Sequence, residues 1–376
     1  MHAFSIPFCP HKDCRCHHLH NTTPYTQYIS WGWYSTKAFG PIRRFRCRAC
    51  QRTFSTQSFS VDYFAKRHFD YEDILARLSS TSCLRAIGRA VSASTDTISN
   101  RIARAARQVL AADARLSRTR RPCEDLVADG FESFCVSQYF PNNIHLLVGK
   151  DSQFVYAADH VTLRRKGRMT DHQKLRRRDL EKLWRADPRG IERSFRRIAG
   201  DCLRLLSEQA RPSLCLWTDE KREYPRAIAS SPCASALREQ GRIRHRTVSS
   251  RAARTIQNPL FAVNYMDREI RKDLHEHVRE TTCFGRNVNR QMERLVVYLY
   301  AHNFQRRHRA RGGVLRPSDL AGYDATQTAK EGGGLWGARA FLSLTGLGEM
   351  ARDSWLRARE TPLRAGRDYL PAYALG

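Results

Sequence analysis

Apolar positions change period along this chain, and each change marks a different kind of element. Near the start, short aromatic-rich runs, Tyr28–Tyr34 and Ile42–Arg46, read as strands of a small antiparallel sheet. From Asp70 the spacing becomes helical. Ile74, Leu75 and Leu78 form one face of a helix over 70–78, and Ser79–Ser82 breaks it. A second helix is predicted from Leu84 to Val91, a tight turn at 92–94, and a third helix from Thr95 to about Leu110. Ala86, Ile87, Ala90 and Val91 face Ile98, Ile102 and Ala105 across an apolar seam. Continuous apolar runs follow at 125–132, 144–148 and 154–158, with turns expected at Asn142-Asn143 and at Lys150–Ser152. Residues 163 to about 206 read as basic helix. Ser213–Asp219 is a buried strand, Tyr224 opens a helix, and another begins near Pro259. Gly312-Gly313 and Gly332–Gly334 read as flexible breaks, and Phe341–Leu344 as one short helix in a tail.

These elements divide into a small sheet at 1–60, a helical unit at 61–120, an α/β unit at 121–310 and a tail at 311–376, an α+β multidomain chain. With 41% hydrophobic residues in 376, the chain has the composition of folded protein. Its formal charge of +28, with Arg outnumbering Lys, calls for a polyanionic partner. No stretch reaches the roughly 18 apolar residues of a membrane span, and no signal-peptide pattern opens the chain. A soluble, cytoplasmic protein with no membrane partner is expected.

Cysteine placement sharpens the first unit. Cys9-Pro-His-Lys-Asp-Cys14 precedes Cys47-Arg-Ala-Cys50, two pairs that can supply four thiolates to a tetrahedral Zn2+. Two knuckles on a small sheet make a zinc ribbon, whose metal supplies much of its stability. Cys16, His11, His17 and His18 crowd the first knuckle and are alternatives to Cys14. Arg43, Arg44, Arg46, Arg48 and Arg52 surround the second with positive charge.

The second and third helices, joined by a short turn, have the spacing of a helix-turn-helix. Its recognition helix would present Thr95, Thr97, Ser99, Asn100, Arg101 and Arg104 to DNA. In the third unit, a strand carrying Asp129, two hairpin strands and a later strand closing on Asp219 are how an RNase H-like fold is laid out. Carboxylates on adjacent strand ends can hold divalent metals, which prefer oxygen ligands and activate a water or a DNA 3′ hydroxyl. Arg164, Arg165, Arg176 and Arg177 lie in the basic helical insertion between these strands.

The run Arg-Phe-Arg-Cys-Arg-Ala-Cys-Gln-Arg-Thr-Phe-Ser (44–55) is similar to the ribbon opening many insertion-sequence transposases. Arg279–Asn287 resembles the "R-x-T-x-C-F-x-R" stretch that follows their acid-bearing helix, and Tyr300–Phe304 the aromatic end of their last helix. Over residues 9–310 the chain resembles the DDE-type insertion-sequence transposases with a zinc ribbon and helix-turn-helix ahead of the catalytic domain. The resemblance implies Mg2+- or Mn2+-dependent end cleavage and strand transfer on double-stranded DNA, at terminal repeats and target. It implies a homo-oligomer in the synaptic complex and no covalent protein–DNA intermediate. It also implies a third acid on the helix after Pro259, with an Arg two turns on. Measured back from Arg271 that place falls at Asn264. Asp267 is the nearest carboxylate and Glu269 the reserve, so Asp129, Asp219 and Asp267 form the expected catalytic and magnesium set. Two other readings are a non-catalytic DNA-binding regulator derived from such an enzyme and an RNase H-like nuclease without integration.

Overall fold

The computed structural model describes residues 6–336 and 359–364, except 7, 12, 18–24, 64, 118–119, 121–122, 209–211, 279–280 and 310–312. The first sheet is antiparallel, ordered β1 (Tyr28–Thr36), β2 (Gly40–Cys47), β3 (Thr53–Ser55). It encloses a small core of its own, built from Phe8, Tyr28, Phe45, Phe54 and Phe59 around the cysteines. Phe54 meets Phe45, Tyr28 and Phe59, which is the whole thickness of this unit.

Helix α1 (Tyr71–Leu78) starts at Asp70, whose carboxylate accepts from the amides of Glu72 and Asp73. Such a cap is worth about 1 kcal/mol. Helix α2 (Leu84–Ala90) turns sharply into α3 (Thr95–Leu116), capped by Ser94. The turn folds directly onto Gly88: a Cβ there would stand 2.6 Å from the carbonyl oxygen of Ala93. Helix α3 continues beyond the expected 110 because its lower half is buried, with Ala105, Ala106, Val109, Leu110, Ala111 and Ala112 packed in the core beside the buried Arg107 and Gln108.

The second sheet has five strands in the order β6-β5-β4-β7-β8. Strands β4 (Leu126–Phe134), β5 (Pro141–Gly149) and β6 (Val155–Thr162) form an antiparallel meander. Strands β7 (Leu214–Asp219) and β8 (Ile243–Val248) add in parallel beyond β4. The turn expected at Asn142-Asn143 is not one. Both residues are fully buried in β5, where Ser133 donates to Asn142 Oδ1 at 2.6 Å and Asn143 Nδ2 donates to the carbonyl of Gly130 at 3.3 Å. Buried amides with partners inside the sheet have no reason to turn outward. The turn at 150–152 is present, and the buried Glu124 carboxylate accepts the amides of Asp151 and Ser152.

The basic insertion is a loop at 163–170 followed by α4 (Asp171–Leu183) and α5 (Gly190–Glu208); α5 packs on β5 and β6. Helices α6 (Glu223–Ala229) and α7 (Pro232–Glu239) lead to β8, and α8 (Phe261–Asp273) lies on β4 and β5. Helix α9 (Val288–Phe304) runs against α3. After α10 (Pro317–Leu320), Gly332 and Gly333 end the ordered helix α11 (Ala325–Gly333), not a flexible break. The short helix expected at Phe341–Leu344 lies outside the described residues.

The boundary drawn at 120 does not separate two cores. Buried apolar residues of α1–α3 belong to the same cluster as those of the five-stranded sheet and α9. Gln108 of α3 donates to the Leu335 carbonyl, and Arg115 pairs with Glu331 of α11 at 2.8 Å. No helix is long and apolar enough to cross a membrane among the described residues.

Candidate functional site

Two groups of side chains carry chemistry. In the first, the Sγ atoms of Cys9, Cys14, Cys47 and Cys50 all lie within 4.8 Å of one another. The Cys9–Cys50 and Cys14–Cys47 separations are each 3.7 Å. Zinc bonds to sulfur at about 2.3 Å, so a tetrahedral site has sulfur–sulfur edges of about 3.8 Å. The four cysteines therefore form a cluster of the right size and donor type for a structural Zn2+. Cys16 stays outside the set, its amide donating to Cys14 Sγ at 3.4 Å. His17 is turned away to the Cys9 carbonyl, with Nδ1 2.8 Å from that oxygen. Burial pushes the Cys9 thiol up from its ordinary range. At Cys47 the amides of Cys50 and Ala49 outweigh the burial and hold the thiol below it.

The second group is acidic. Strands β4 and β7 run parallel with Leu126 opposite Leu216 and Val127 opposite Trp217. Continued two residues, that register sets Asp129 beside Asp219. Asp267 comes to them from α8. Tyr224, on the first turn of α6, is buried, and all three carboxylates raise its hydroxyl's pKa after burial itself. Its hydroxyl donates to Asp129 Oδ1 at 3.3 Å.

Burial, then the Asp219 charge, raises the Asp129 carboxyl. Asp267 is pushed up to about 8, by burial and then by Asp129, against the opposing pull of Arg271 and Arg254. Its Oδ1 is buried without a hydrogen-bond partner among the described residues. A buried carboxylate oxygen without a partner calls for a proton or a cation. Among the described residues, however, it is the cysteines whose ligand atoms converge within 4.8 Å. Glu269, the reserve acid, is spent elsewhere: Lys272 Nζ lies 2.5 Å from its Oε2.

The residues expected to meet DNA divide. Thr95 and Asn100 are exposed, and Thr97 and Ser99 half-buried, at the start of α3. Arg101 turns inward instead, buried, 3.5 Å from Asp62 Oδ1 and over the Phe69 ring. Arg104 lies over the Tyr63 ring and donates to the carbonyls of Val61 and Tyr63. Both guanidinium groups hold the 61–71 segment to α3, a role that helical spacing does not reveal. Arg164 and Arg177 pair with Glu181, Arg165 donates to Gln138, and Arg176 is exposed. Sequence reasoning did not mark Lys221, whose amide donates to Asp219 Oδ1 at 3.1 Å and whose Nζ is 3.4 Å from the Tyr224 hydroxyl. Its signal was present: a lysine two residues after a strand-end acid.

No known family model and no curated protein matches the chain.

Proposed function

We propose that the chain is a metal-dependent DNA transposase of the DDE type. What supports the reading is that the charges of Asp129, Asp219 and Asp267, from β4, β7 and α8, all bear on the buried Tyr224 hydroxyl, and that Asp267 Oδ1 is buried with no hydrogen-bond partner among the described residues. The sheet order, an antiparallel meander extended by two parallel strands, supports an RNase H-like assignment for this unit. The three carboxylates would hold Mg2+ or Mn2+, which when bound activates a water or 3′ hydroxyl and stabilises the departing oxygen.

The chain's own residues do the rest. Asp267, whose carboxyl burial pushes up to about 8, would hold the ion in its ionised form. The Tyr224 hydroxyl orients the Asp129 carboxylate through its hydrogen bond. The ribbon, with Arg43, Arg44 and Arg46, and the exposed start of α3 would bind the terminal repeats of a mobile element. Cleavage and joining would proceed in a homo-oligomer bridging two ends.

The test is strand transfer with zinc-loaded protein, Mg2+ or Mn2+, labelled element ends and a target plasmid. Joined product that disappears in Asp219→Ala and on removing the divalent metal supports the reading. Sequence-specific binding without cleavage or joining in either metal would sink it in favour of a DNA-binding regulator. Cleavage of any DNA without joining would point to a nuclease.

A further inference from the structure

A groove of about 1160 Å³ opens between the loop after β6, the far end of β4 and the 281–282 segment. Ligand pockets for small molecules span roughly 300–1,000 Å³, and this groove lies just above that range. Its charge is uneven. Arg164, Arg165, Lys166 and Arg168 line it from a single loop, and Lys221 lines it from beside the acids. Gly167 sits between the cations at φ +86°, a left-handed conformation that lets the loop reverse within this basic run.

Arg164 and Arg165 are held in place by Glu181 and by Gln138 with the Tyr139 ring. Lys166 and Arg168 are exposed, and neither enters an ion pair among the described residues. Acids also reach the groove: Glu132, Glu223 and Asp187. Asp187 is already paired with Arg193. Thr281 and Thr282 line the groove too, and their hydroxyls are donors of the kind that bind phosphate oxygens.

What gives this groove a direction is its inner end. Lys221 lines it, and Lys221 Nζ is 3.4 Å from the Tyr224 hydroxyl, which is 3.3 Å from Asp129 Oδ1. A phosphate held by Lys221 is therefore one side chain away from the carboxylate cluster. We infer that the groove is a binding channel for one strand of DNA, gripped through its phosphates by the 164–168 loop and led past Lys221 to the acids. The inference rests on the transposase reading for the reaction that the strand undergoes, but not for its binding.

The test uses the full, zinc-loaded chain and a labelled ten-nucleotide single strand of DNA, followed by fluorescence anisotropy across a salt series. Against wild type, Arg165→Glu/Lys166→Glu/Arg168→Glu is expected to bind the single strand at least about tenfold more weakly, with the salt slope reduced by about 2, as loss of three phosphate contacts requires. Its duplex-end binding through the N-terminal units should stay within about twofold, and circular dichroism should match wild type, the loop being exposed. Lys221→Ala should weaken single-strand binding by several-fold, as one lost contact does. Equal single-strand affinity in wild type and the loop variant overturns the inference, as does failure of wild type to bind the single strand. Loop-dependent binding in a protein that neither cleaves nor joins DNA leaves the channel standing and removes the transposase reading. Undiminished strand transfer by the loop variant does the reverse.

Discussion

The four cysteines and the three acids of the proposed catalytic site differ in how far the fold has already gathered them. The four sulfurs already stand at the spacing of a zinc tetrahedron, 3.7 Å along two edges. The three carboxylates come from distant parts of a rigid sheet and a helix, and their charges repel. Burial raises both Asp129 and Asp267, helped by the charge of Asp219 on the first and of Asp129 on the second. In the proposed catalytic site a bound cation would relieve that repulsion, whereas the cysteines already stand at zinc spacing without one.

The largest effect expected from that contrast is on the ribbon. Chelating zinc, or making Cys47→Ser, should unfold residues 6–59 while leaving the five-stranded sheet intact, because the two cores are separate clusters. Structural zinc contributes roughly 10–16 kcal/mol to such small units. Amide exchange should then rise throughout β1–β3 and remain slow in β4–β7. Protection lost evenly across both sheets would show that the ribbon core is not independent.

Next comes the pH dependence of Asp267. Its folded-state pKa is near 8, above its ordinary value near 4. Below pH 4 the carboxyl is protonated whether folded or not, and costs nothing. As pH rises from 4 to 8 the unfolded chain ionises first, so stability falls, and above 8 the full penalty, on the order of 5 kcal/mol, is present. Asp267→Asn should therefore raise the melting temperature of Mg2+-free protein at pH 8 and leave it little changed at pH 4. Added Mg2+ should stabilise wild type more than the variant. A melting temperature that is lower for the variant at pH 8 would refute this account of the buried carboxyl.

Arg101 tests the boundary between reading DNA and holding the fold. Removing one partner of a buried pair typically costs about 3–5 kcal/mol, so Arg101→Ala should lose stability rather than relax sequence preference. Urea denaturation decides it: an unchanged midpoint would return Arg101 to the DNA surface. Smaller still is Gly130→Ala. A Cβ there would come within 2.0 Å of Asn143 Oδ1, next to Asp129. Overpacking of this kind costs about 1–3 kcal/mol. The same variant should lose strand transfer beyond its loss of stability, since relief of the clash shifts the Asp129 backbone.

Much of this was legible in the sequence because local chemistry decides it. Cysteine pairs at knuckle spacing, apolar runs at strand length and a serine before a helical stretch mean the same thing in most surroundings. The misreadings came where a distant partner decides. Asn142 and Asn143 read as a turn until Ser133 and Gly130 supply hydrogen bonds inside the sheet. Arg101 and Arg104 read as DNA contacts until the 61–71 segment lies beneath them. Strand β8 escaped notice because of its alternating arginines: only Ile243 of its six residues is buried, as befits an edge strand. Among the acids, Asp219 does close its strand, whereas Asp129, expected to close one, lies inside β4, which runs on to Phe134. Asp267 ranks ahead of Glu269 by its distance from Arg271, and the structure adds that Glu269 is paired with Lys272.

The shared core of α3 and α9 bears on retargeting. Protein engineers often treat a DNA-reading head as a detachable cartridge, swapped to send an enzyme to a new address. Here α3, the helix proposed to read DNA, is also a wall of the chassis: Arg290 of α9 reaches Asn100 near its start, and Gln108 donates to the Leu335 carbonyl farther along. A transplanted head would have to bring α9 with it, or leave its host with half a wall missing.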